Sequence, residues 1–460
     1  MKNYKKSLFI FRRDLRIIDN HALYTAIKES ELIVPCFIFD PRQINTHNDY
    51  RSLNSMQFML NSLHELEHDI KKAGGTLIFG HDNPAICLKK FIKEYQINAV
   101  FCGNDYTPFS LKRDEELLQV CATFHISFIQ VHDTLLTIPD DVKTGSGTPY
   151  AKYTPFLNRA LKIPVLQPHT LKNFGFTKEK PLLAGSLKDL ALLDNYHNKN
   201  IWVSGGRSEA LSLLKKSMQL DEYQKIRDFP FLQTSNLSAH LKFGTLSVRE
   251  FFYAIVKHLG PNHPLVKQLY WRDFFTHVAY HSPFVFGHCF IQKYDALSWD
   301  YSKKGSENFA RWCNGETGFP IVDAGMRQLI TTGYMHNRVR MIVASFLTKD
   351  LHIDWRMGER FFAQHLVDYD PAVNNGNWQW AASTGCDSQP YFRIFNPWLQ
   401  QAKYDPEAKY IKTWIPELKN KDPKTLHILY KEKIKITGYP DCIIVHEKEK
   451  DKTLKRFRAL

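Results

Sequence analysis

The run from Leu366 to Trp380, Leu-Val-Asp-Tyr-Asp-Pro-Ala-Val-Asn-Asn-Gly-Asn-Trp-Gln-Trp, places two carboxylates one residue apart, two adjacent amides and two tryptophans in one short segment. Asp and Asn favour turns and helix caps over helix interiors, while tryptophan offers a large, stiff aromatic face. Any one of these residues alone reads as a surface turn or a core aromatic. Together they can hold a polar heteroaromatic ring by its edge and set indoles beside it. The segment therefore marks the carboxy-terminal part of the chain as the place to look for a site.

Upstream of this run, from Trp202 onward, apolar residues recur at helical spacing. Leu211, Leu214 and Met218 repeat on one face, as do Phe251, Ile255 and Leu259. Ser247 with Glu250 three later reads as a capping box opening a helix over Val248–His258. Pro320–Leu351 is helical in character almost throughout. An all-α region running to about Glu417 is expected, followed by a charged remainder, Leu418–Leu460, that should pack loosely.

The first third reads differently. Leu8–Phe11, Leu32–Phe39, Thr76–Phe79, Ala99–Cys102 and Ile126–Val131 are short β-branched or aromatic runs, separated by amphipathic stretches at Met56–Ala73, Ala85–Tyr95 and Leu111–Phe124. That alternation predicts a parallel α/β sheet with helices on both faces. No Gly-x-Gly-x-x-Gly follows the first run; Phe11-Arg12-Arg13-Asp14-Leu15-Arg16 stands there instead, so a dinucleotide fingerprint is absent. From Asp133 to about Asn200 the pattern fades, with a loop at Gly145-Ser146-Gly147-Thr148-Pro149 and scattered Pro and Lys through Pro181. The expected division is 1–132 (α/β), 133–200 (connector) and 201–460 (helical).

Composition narrows the function. At 460 residues the chain exceeds one ordinary core. Lys and Arg exceed Asp and Glu by 61 − 47 = 14, a balance that suits a polyanionic partner such as nucleic acid. Part of the excess sits in the Lys/Arg-rich stretch Lys448–Arg458. The eight cysteines are scattered without a Cys-x-x-Cys pair, which argues against a metal site or a disulfide framework and for a reducing compartment. With no secretory pattern at the start and no membrane-length apolar run, a cytoplasmic protein is expected.

Several blocks together resemble the photolyase/cryptochrome family, most closely its class I cyclobutane pyrimidine dimer photolyases. They are Phe11–Arg16 with Asp19-Asn20, Trp271-Arg272-Asp273-Phe274-Phe275, Gly318–Ala324, Met335-His336-Asn337-Arg338-Val339-Arg340-Met341, and the opening run with its continuation through Ala381–Gly385 to Pro390–Pro397. The resemblance implies an amino-terminal Rossmann-like antenna-type domain and a helical domain holding FAD in a U shape. It implies light-driven repair of cyclobutane dimers in ultraviolet-damaged DNA, by an electron passed from excited reduced FAD to a flipped-out dimer, and a monomer without a metal. A (6-4) photoproduct photolyase and a cryptochrome-type photoreceptor remain as alternatives.

Residue by residue, the resemblance assigns Thr234, Ser235, Asn236, Leu237 and Ser238, with Tyr223, to the FAD phosphates. Gln268 and Arg272 join them as cofactor residues. Asp368 and Asp370 face the flavin edge and ribityl chain, Arg340 pairs with one of them, and Asn374 stands beside flavin N5. Trp378, Trp355 and Trp299 match the electron-transfer chain, whereas Trp312 and Trp202 do not. Trp271 and Trp380 wall the dimer pocket, Asn337 and Met341 close it, and Gln268 contacts the lesion. Arg227, Arg338, Arg393 and Gln400 complete the DNA contacts. Gln268 stands where dimer photolyases usually carry glutamate and where (6-4) enzymes carry glutamine. Phe109-Ser110 stand where folate-binding relatives have an Asn-Glu pair, which disfavours folate and leaves a deazaflavin or no antenna open.

Overall fold

The computed structural model describes residues 2–171, 173–179 and 196–460. The chain divides into two compact units. The first comprises Met1–His197, Val203–Asp221 and Ser235–Pro283, and the second comprises Asn198–Trp202, Glu222–Thr234 and Phe284–Leu460.

The five predicted runs in the first unit are strands: β1 (Tyr4–Phe11), β2 (Ser30–Phe39), β3 (Ile78–His81), β4 (Ala99–Gly103) and β5 (Ser127–Val131). All pair in parallel, in the order β3-β2-β1-β4-β5. Consecutive residues of β1 and all of β4 are buried, so both faces of the central sheet are covered. The intervening helices Leu53–Lys72, Pro84–Tyr95 and Pro108–Thr123 start within a few residues of their amphipathic stretches, each opened by a side-chain cap from Ser52, Asn83 or Thr107. Order reverses at β1 and β4. There Arg12 spans to Asp114, 2.8 Å, and to the Gly103 carbonyl, so ion pairs take the place of a glycine-rich turn.

The connector is more structured than its composition suggested. A helix, Tyr153–Ala160, buries Tyr153, Phe156, Leu157 and Ala160. Tyr153 stacks on Trp271 with ring centroids 3.6 Å apart. Further on, Ile33 N–H donates to the Gly175 carbonyl and Thr177 N–H donates to the Ile33 carbonyl, so this strip covers part of the edge of β2. Pro181 and its surroundings, 180–195, lie outside the described residues. The helix Arg207–Ser217 buries Ala210, Leu213, Leu214 and Ser217, and Leu211, expected on the inner face, is exposed. Ser247 and Glu250 do form a capping box, at the head of the helix Val248–Leu259.

The helix Pro264–His281 carries a carboxyl with an unusual setting. Asp273 is fully buried; Oδ2 accepts from the Thr137 N–H (2.9 Å) and hydroxyl (3.0 Å), and Oδ1 has no partner. Burial pushes this carboxyl up to about 7. The folded state then binds the proton more tightly than the unfolded chain, so stability falls as pH rises from about 4 to about 7, by up to about 1.4 kcal/mol per pH unit, and levels off above. Asp273→Asn, neutral and of the same shape, should flatten that limb. Denaturant unfolding at pH 5 and pH 8 measures it; an unchanged difference between the two would refute the assignment.

The second unit is helical among its described residues. The stretch expected to be helical throughout is broken at Gly333–His336 into Pro320–Thr332 and Asn337–Ser345, which runs into a π-turn, Phe346–Asp350. The glycine cap Gly333, φ 68°, ends the first helix, and His336 caps the second. Trp312, Trp355 and Trp378 lie in one core with Ile321, Leu329 and Phe346.

The expectation of a loosely packed remainder after Leu418 is overturned. Leu426, Leu429 and Ile436 are buried, and the charged stretch is a helix, His446–Arg458, whose His446, Thr453 and Phe457 face inward. Phe457 meets Tyr294 edge-on at 5.2 Å and stacks on Tyr391 at 5.4 Å. Three inward residues at i, i+7 and i+11 make a narrow stripe that the surrounding Lys and Glu obscure. No helix among the described residues is long and apolar enough to cross a membrane, and they hold no metal-binding cluster.

Candidate flavin site and indole chain

In the second unit the opening run becomes a helix, Pro371–Ala382. Asp370 caps it, its Oδ1 accepting from the N–H groups of Ala372 (3.1 Å) and Val373 (3.3 Å), with Pro371 at the first helical position. Asp368, just before, is held by Arg340 through contacts of 2.9 and 3.1 Å. Arg340 is itself aimed by a 2.7 Å bond from Nε to the Met335 carbonyl. The two carboxylates thus have separate partners, one the helix end and the other a guanidinium.

Asn374 shows what sequence could not. Its Nδ2 donates to both the backbone carbonyl (3.0 Å) and Oε1 (3.1 Å) of Glu359. Both partners are acceptors, which fixes the amide's orientation. With both protons spent, Oδ1 is what the side chain has left to offer. Glu359 was missed because it lies fifteen residues upstream, on the helix Trp355–His365, and only the fold brings it to Asn374.

The phosphate candidates divide between the units, with Tyr223 and Thr234 in the second and Ser235–Ser238 in the first. Tyr223 is buried, and Thr234 shares a hydrogen bond with Tyr334. Asn236 adopts a left-handed φ of 53°, and the helix Ser238–Phe243 opens at Leu237 without a side-chain cap. The hydroxyls of this segment are therefore not used to cap that helix. Arg272, in the first unit, directs Nη1 to the Thr134 carbonyl (2.5 Å) and Nη2 to that of Leu241 (3.2 Å).

Trp378 is 2% exposed, its ring meeting Phe362 at 4.9 Å and Trp312 at 6.2 Å, both edge-on. It presses on Gly358, where an added Cβ would lie 2.2 Å from its ring. Trp355 is one turn before Gly358 on the same helix and 1% exposed. Trp299 packs half-buried against the same core, and its neighbour Asp300 donates its N–H to the carbonyl of His352, three residues before Trp355. The N–H groups of Trp299 and Trp378 are buried without a partner, and that of Trp355 faces the Cys289 thiol. Trp312 differs: its N–H donates to the Val343 carbonyl at 3.1 Å.

Among the lesion-side candidates, Asn337 is exposed and lies against Met341, Nδ2 to Sδ 3.7 Å, while Trp380 is partly buried. Arg338 is already engaged, with Asp228 at 2.8 Å and the Tyr404 ring at 4.4 Å. Arg393 is exposed, and Arg227 and Gln400 are half-buried, the latter with a buried Oε1 lacking a partner. In the first unit, Gln268 and Trp271 are one turn apart on the helix Pro264–His281. One face of Trp271 is covered by Tyr153.

Sequence reading also passed over Lys349. It is fully buried, Nζ donating to Ser383 Oγ (2.7 Å) and to the Arg393 carbonyl (3.2 Å), and burial lowers its pKa to about 8. It ties the end of the helix Pro371–Ala382 to the loop beyond. A lysine following Phe346 and Leu347 and preceding Leu351 was the signal available.

Within the second unit, two carboxylates, an oriented amide and several indoles thus lie on neighbouring helices, in a chain that also has an α/β unit. Residues 265–459 match the family described as FAD binding domain of DNA photolyase, and residues 7–172 match DNA photolyase. A deoxyribodipyrimidine photo-lyase of Synechococcus is 36% identical over 476 residues, covering 98% of this chain and 96% of that one. The structure of an archaeal photolyase from Sulfolobus tokodaii, with two FAD molecules, superposes with a TM-score of 0.90 at 41% identity, covering 99% of this chain and all of that one. A class III photolyase from Agrobacterium tumefaciens superposes equally well, TM-score 0.90, at 33% identity over 100% of this chain and 98% of that one. The chain belongs to the DNA photolyase family.

Proposed function

We propose that the protein is a light-driven lyase that splits cyclobutane pyrimidine dimers in ultraviolet-damaged DNA. The observation that carries this reading is identity sustained from end to end with relatives named deoxyribodipyrimidine photo-lyase, 96–98% of whose length the chain covers. The residues fit FAD: the Asn374 amide is oriented with its oxygen remaining, and the hydroxyls at Thr234, Ser235 and Ser238 leave the helix Ser238–Phe243 uncapped. When bound, reduced FAD would supply, under blue light, the single-electron chemistry that opens the cyclobutane ring without net redox change.

The chain's own residues bind, orient and tune. Tyr223, Thr234, Ser235, Asn236, Leu237 and Ser238, with Gln268 and Arg272, would hold the nucleotide; Asp368, paired with Arg340, and Asp370 would hold the flavin's polar side. Asn374 Oδ1, fixed by Glu359, offers an acceptor and so favours a protonated N5. Trp271, Trp380, Asn337, Met341 and Gln268 would receive the dimer, and Arg227, Arg393 and Gln400 the flanking strand. Arg338 would reach a phosphate only by exchanging it for Asp228. The same reading has the protein acting as a monomer in the cytoplasm. It keeps 1–132 as an antenna-type part, 133–200 as connector and 201–460 as the flavin- and DNA-binding part.

The direct test is a dimer-containing oligonucleotide incubated with reduced protein in light and in darkness. Repair in light alone is expected; none in either arm would sink the reading. Affinity for undamaged duplex should fall steeply with salt, roughly as the 0.9 power per phosphate contacted, while binding to a dimer adds a term less sensitive to salt. Equal affinity for both duplexes at every salt concentration would count against repair. Gln268→Glu should raise dimer repair per photon, because a hydrogen bond to a buried anion is worth about 1–3 kcal/mol and glutamic acid can also give up a proton. Repair of (6-4) lesions by the parent, lost on this substitution, would overturn the lesion assignment.

A second chromophore in the first unit belongs to the same reading, and the relative with two FAD molecules favours a flavin nucleotide over folate. At the carboxyl ends of β1 and β4, where ligands of such sheets sit, Arg113 Nη2 and Asn104 Oδ1 are buried without partners. Flavin released by denaturing the purified holoprotein and counted per chain decides between one and two.

A further inference from the structure

The outermost indole of the proposed chain does not end in open solvent. Trp299 is half-buried, and the guanidinium carbon of Arg456 stands 5.2 Å from its ring centroid. Arg456 is not a loose surface side chain. Its Nη1 donates to His352 Nδ1 at 2.7 Å, and Nη2 donates to the carbonyl of Ser298, the residue just before the indole. An arginine cannot accept, so His352 must present a lone pair at Nδ1 and carry its proton on Nε2. That proton is donated to Glu449 Oε2 at 2.8 Å. Glu449, Thr453 and Arg456 follow at i, i+4 and i+7 along the helix His446–Arg458, and the Thr453 hydroxyl also reaches His352 Nδ1, 3.3 Å. A carboxylate thus orients an imidazole, the imidazole holds a guanidinium, and the guanidinium is pinned on the indole.

Charge balance separates this arginine from its counterpart at the middle indole. Arg356 also lies over a tryptophan, 5.0 Å from the Trp355 centroid, but it is paired with Asp354 (3.1 Å) and Asp295 (2.7 Å). Arg456 instead hydrogen-bonds to neutral acceptors; the Asp300 carboxylate attracts it only through space, and burial outweighs that attraction and lowers its pKa from the ordinary value, the mark of a charge in a poorly solvated place. It stays protonated nonetheless.

We propose that Arg456 controls the outer end of the indole chain, its fixed positive charge opposing oxidation of Trp299 and so limiting the yield of light-driven flavin reduction. This rests on the electron-transfer reading of Trp378, Trp355 and Trp299. An electron moves from Trp299 to the oxidised Trp355, leaving a radical cation on Trp299; an external thiolate returns one electron to Trp299 and becomes a thiyl radical. Between those events two positive charges face each other across 5.2 Å, less screened than in water. The repulsion drives the hole back inward and shortens the time in which an external donor can act. An arginine that served packing alone would leave that time unchanged.

The test uses FAD-loaded, oxidised protein, with tryptophan-radical absorbance followed after a laser flash and photoreduction yield measured under steady light. Arg456→Gln should lengthen the radical lifetime by about threefold or more and raise the yield, because the opposing charge is gone. Arg456→Lys, which keeps the charge, should restore the parent lifetime. Should a thermal melt show that Arg456→Gln loosens the helix, Arg456→Met, apolar and of similar reach, carries the same comparison. Trp299→Phe, measured alongside, tests the chain itself by removing the long-lived radical. If that radical disappears while the Gln and Met variants keep the parent lifetime, or if Lys behaves as Gln does, the role of Arg456 is refuted and the chain stands. If the radical persists in Trp299→Phe, the chain reading fails first.

Discussion

In Trp299→Phe, FAD stays bound but illumination in the presence of an external thiol no longer reduces it; photoreduction should fall at least tenfold. Phenylalanine keeps most of the packing of an aromatic side chain that is already half-buried against the core. It removes the readily oxidised indole and gives up no satisfied hydrogen bond, since the Trp299 N–H has no partner. Repair by chemically reduced protein needs no electron from this residue and should continue. The measurement is the loss of oxidised-flavin absorbance under blue light, parent beside variant. Normal photoreduction would remove Trp299 from the chain.

Gly358→Ala should be a strongly damaging single methyl group in the second unit. A Cβ there would lie 2.2 Å and 2.6 Å from two ring carbons of Trp378 and 2.5 Å from a Leu347 methyl. Neither neighbour can give way easily, because Leu347 is 0% and Trp378 2% exposed, and the indole is bounded by Phe362 and Trp312. Overpacking of this kind costs about 1–3 kcal/mol, which for a unit of this size lowers Tm by roughly 2–4 °C per kcal/mol. Because the displaced ring is the innermost of the proposed chain, photoreduction should fall together with Tm. Gly145→Ala, with nothing within 4 Å of its Cβ, is the control and should be neutral. A parent-like melt for Gly358→Ala would mean the two helices can separate at that point.

Much of this was legible because it is local or periodic. The strands announced themselves as β-branched runs whose burial on both faces needs no alternation, as Val100, Phe101 and Cys102 illustrate. The capping box at Ser247 and Glu250 is a four-residue pattern. What sequence did not show depends on distance along the chain. The helix Tyr153–Ala160 has a partner in Trp271, more than a hundred residues away. Glu359 matters only once two helices have packed, and Arg456 is joined to Ser298 across 158 positions. The misread segment after Leu418 failed for another reason. Its charge was counted as a property of the whole stretch, whereas three residues on one stripe decide where that helix goes.

Phe457 has a bearing on how the protein is made. It is the last residue of the second unit's core to emerge during synthesis, yet it seats against Tyr294 and Tyr391, and His446 of the same helix reaches the buried Asp350 at 2.5 Å. Until this helix is in place, the aromatic pair and the carboxyl lack the side chains that cover them. The core of the unit that would carry the flavin is complete only once Phe457 is in place, so its closure follows translation of the helix His446–Arg458.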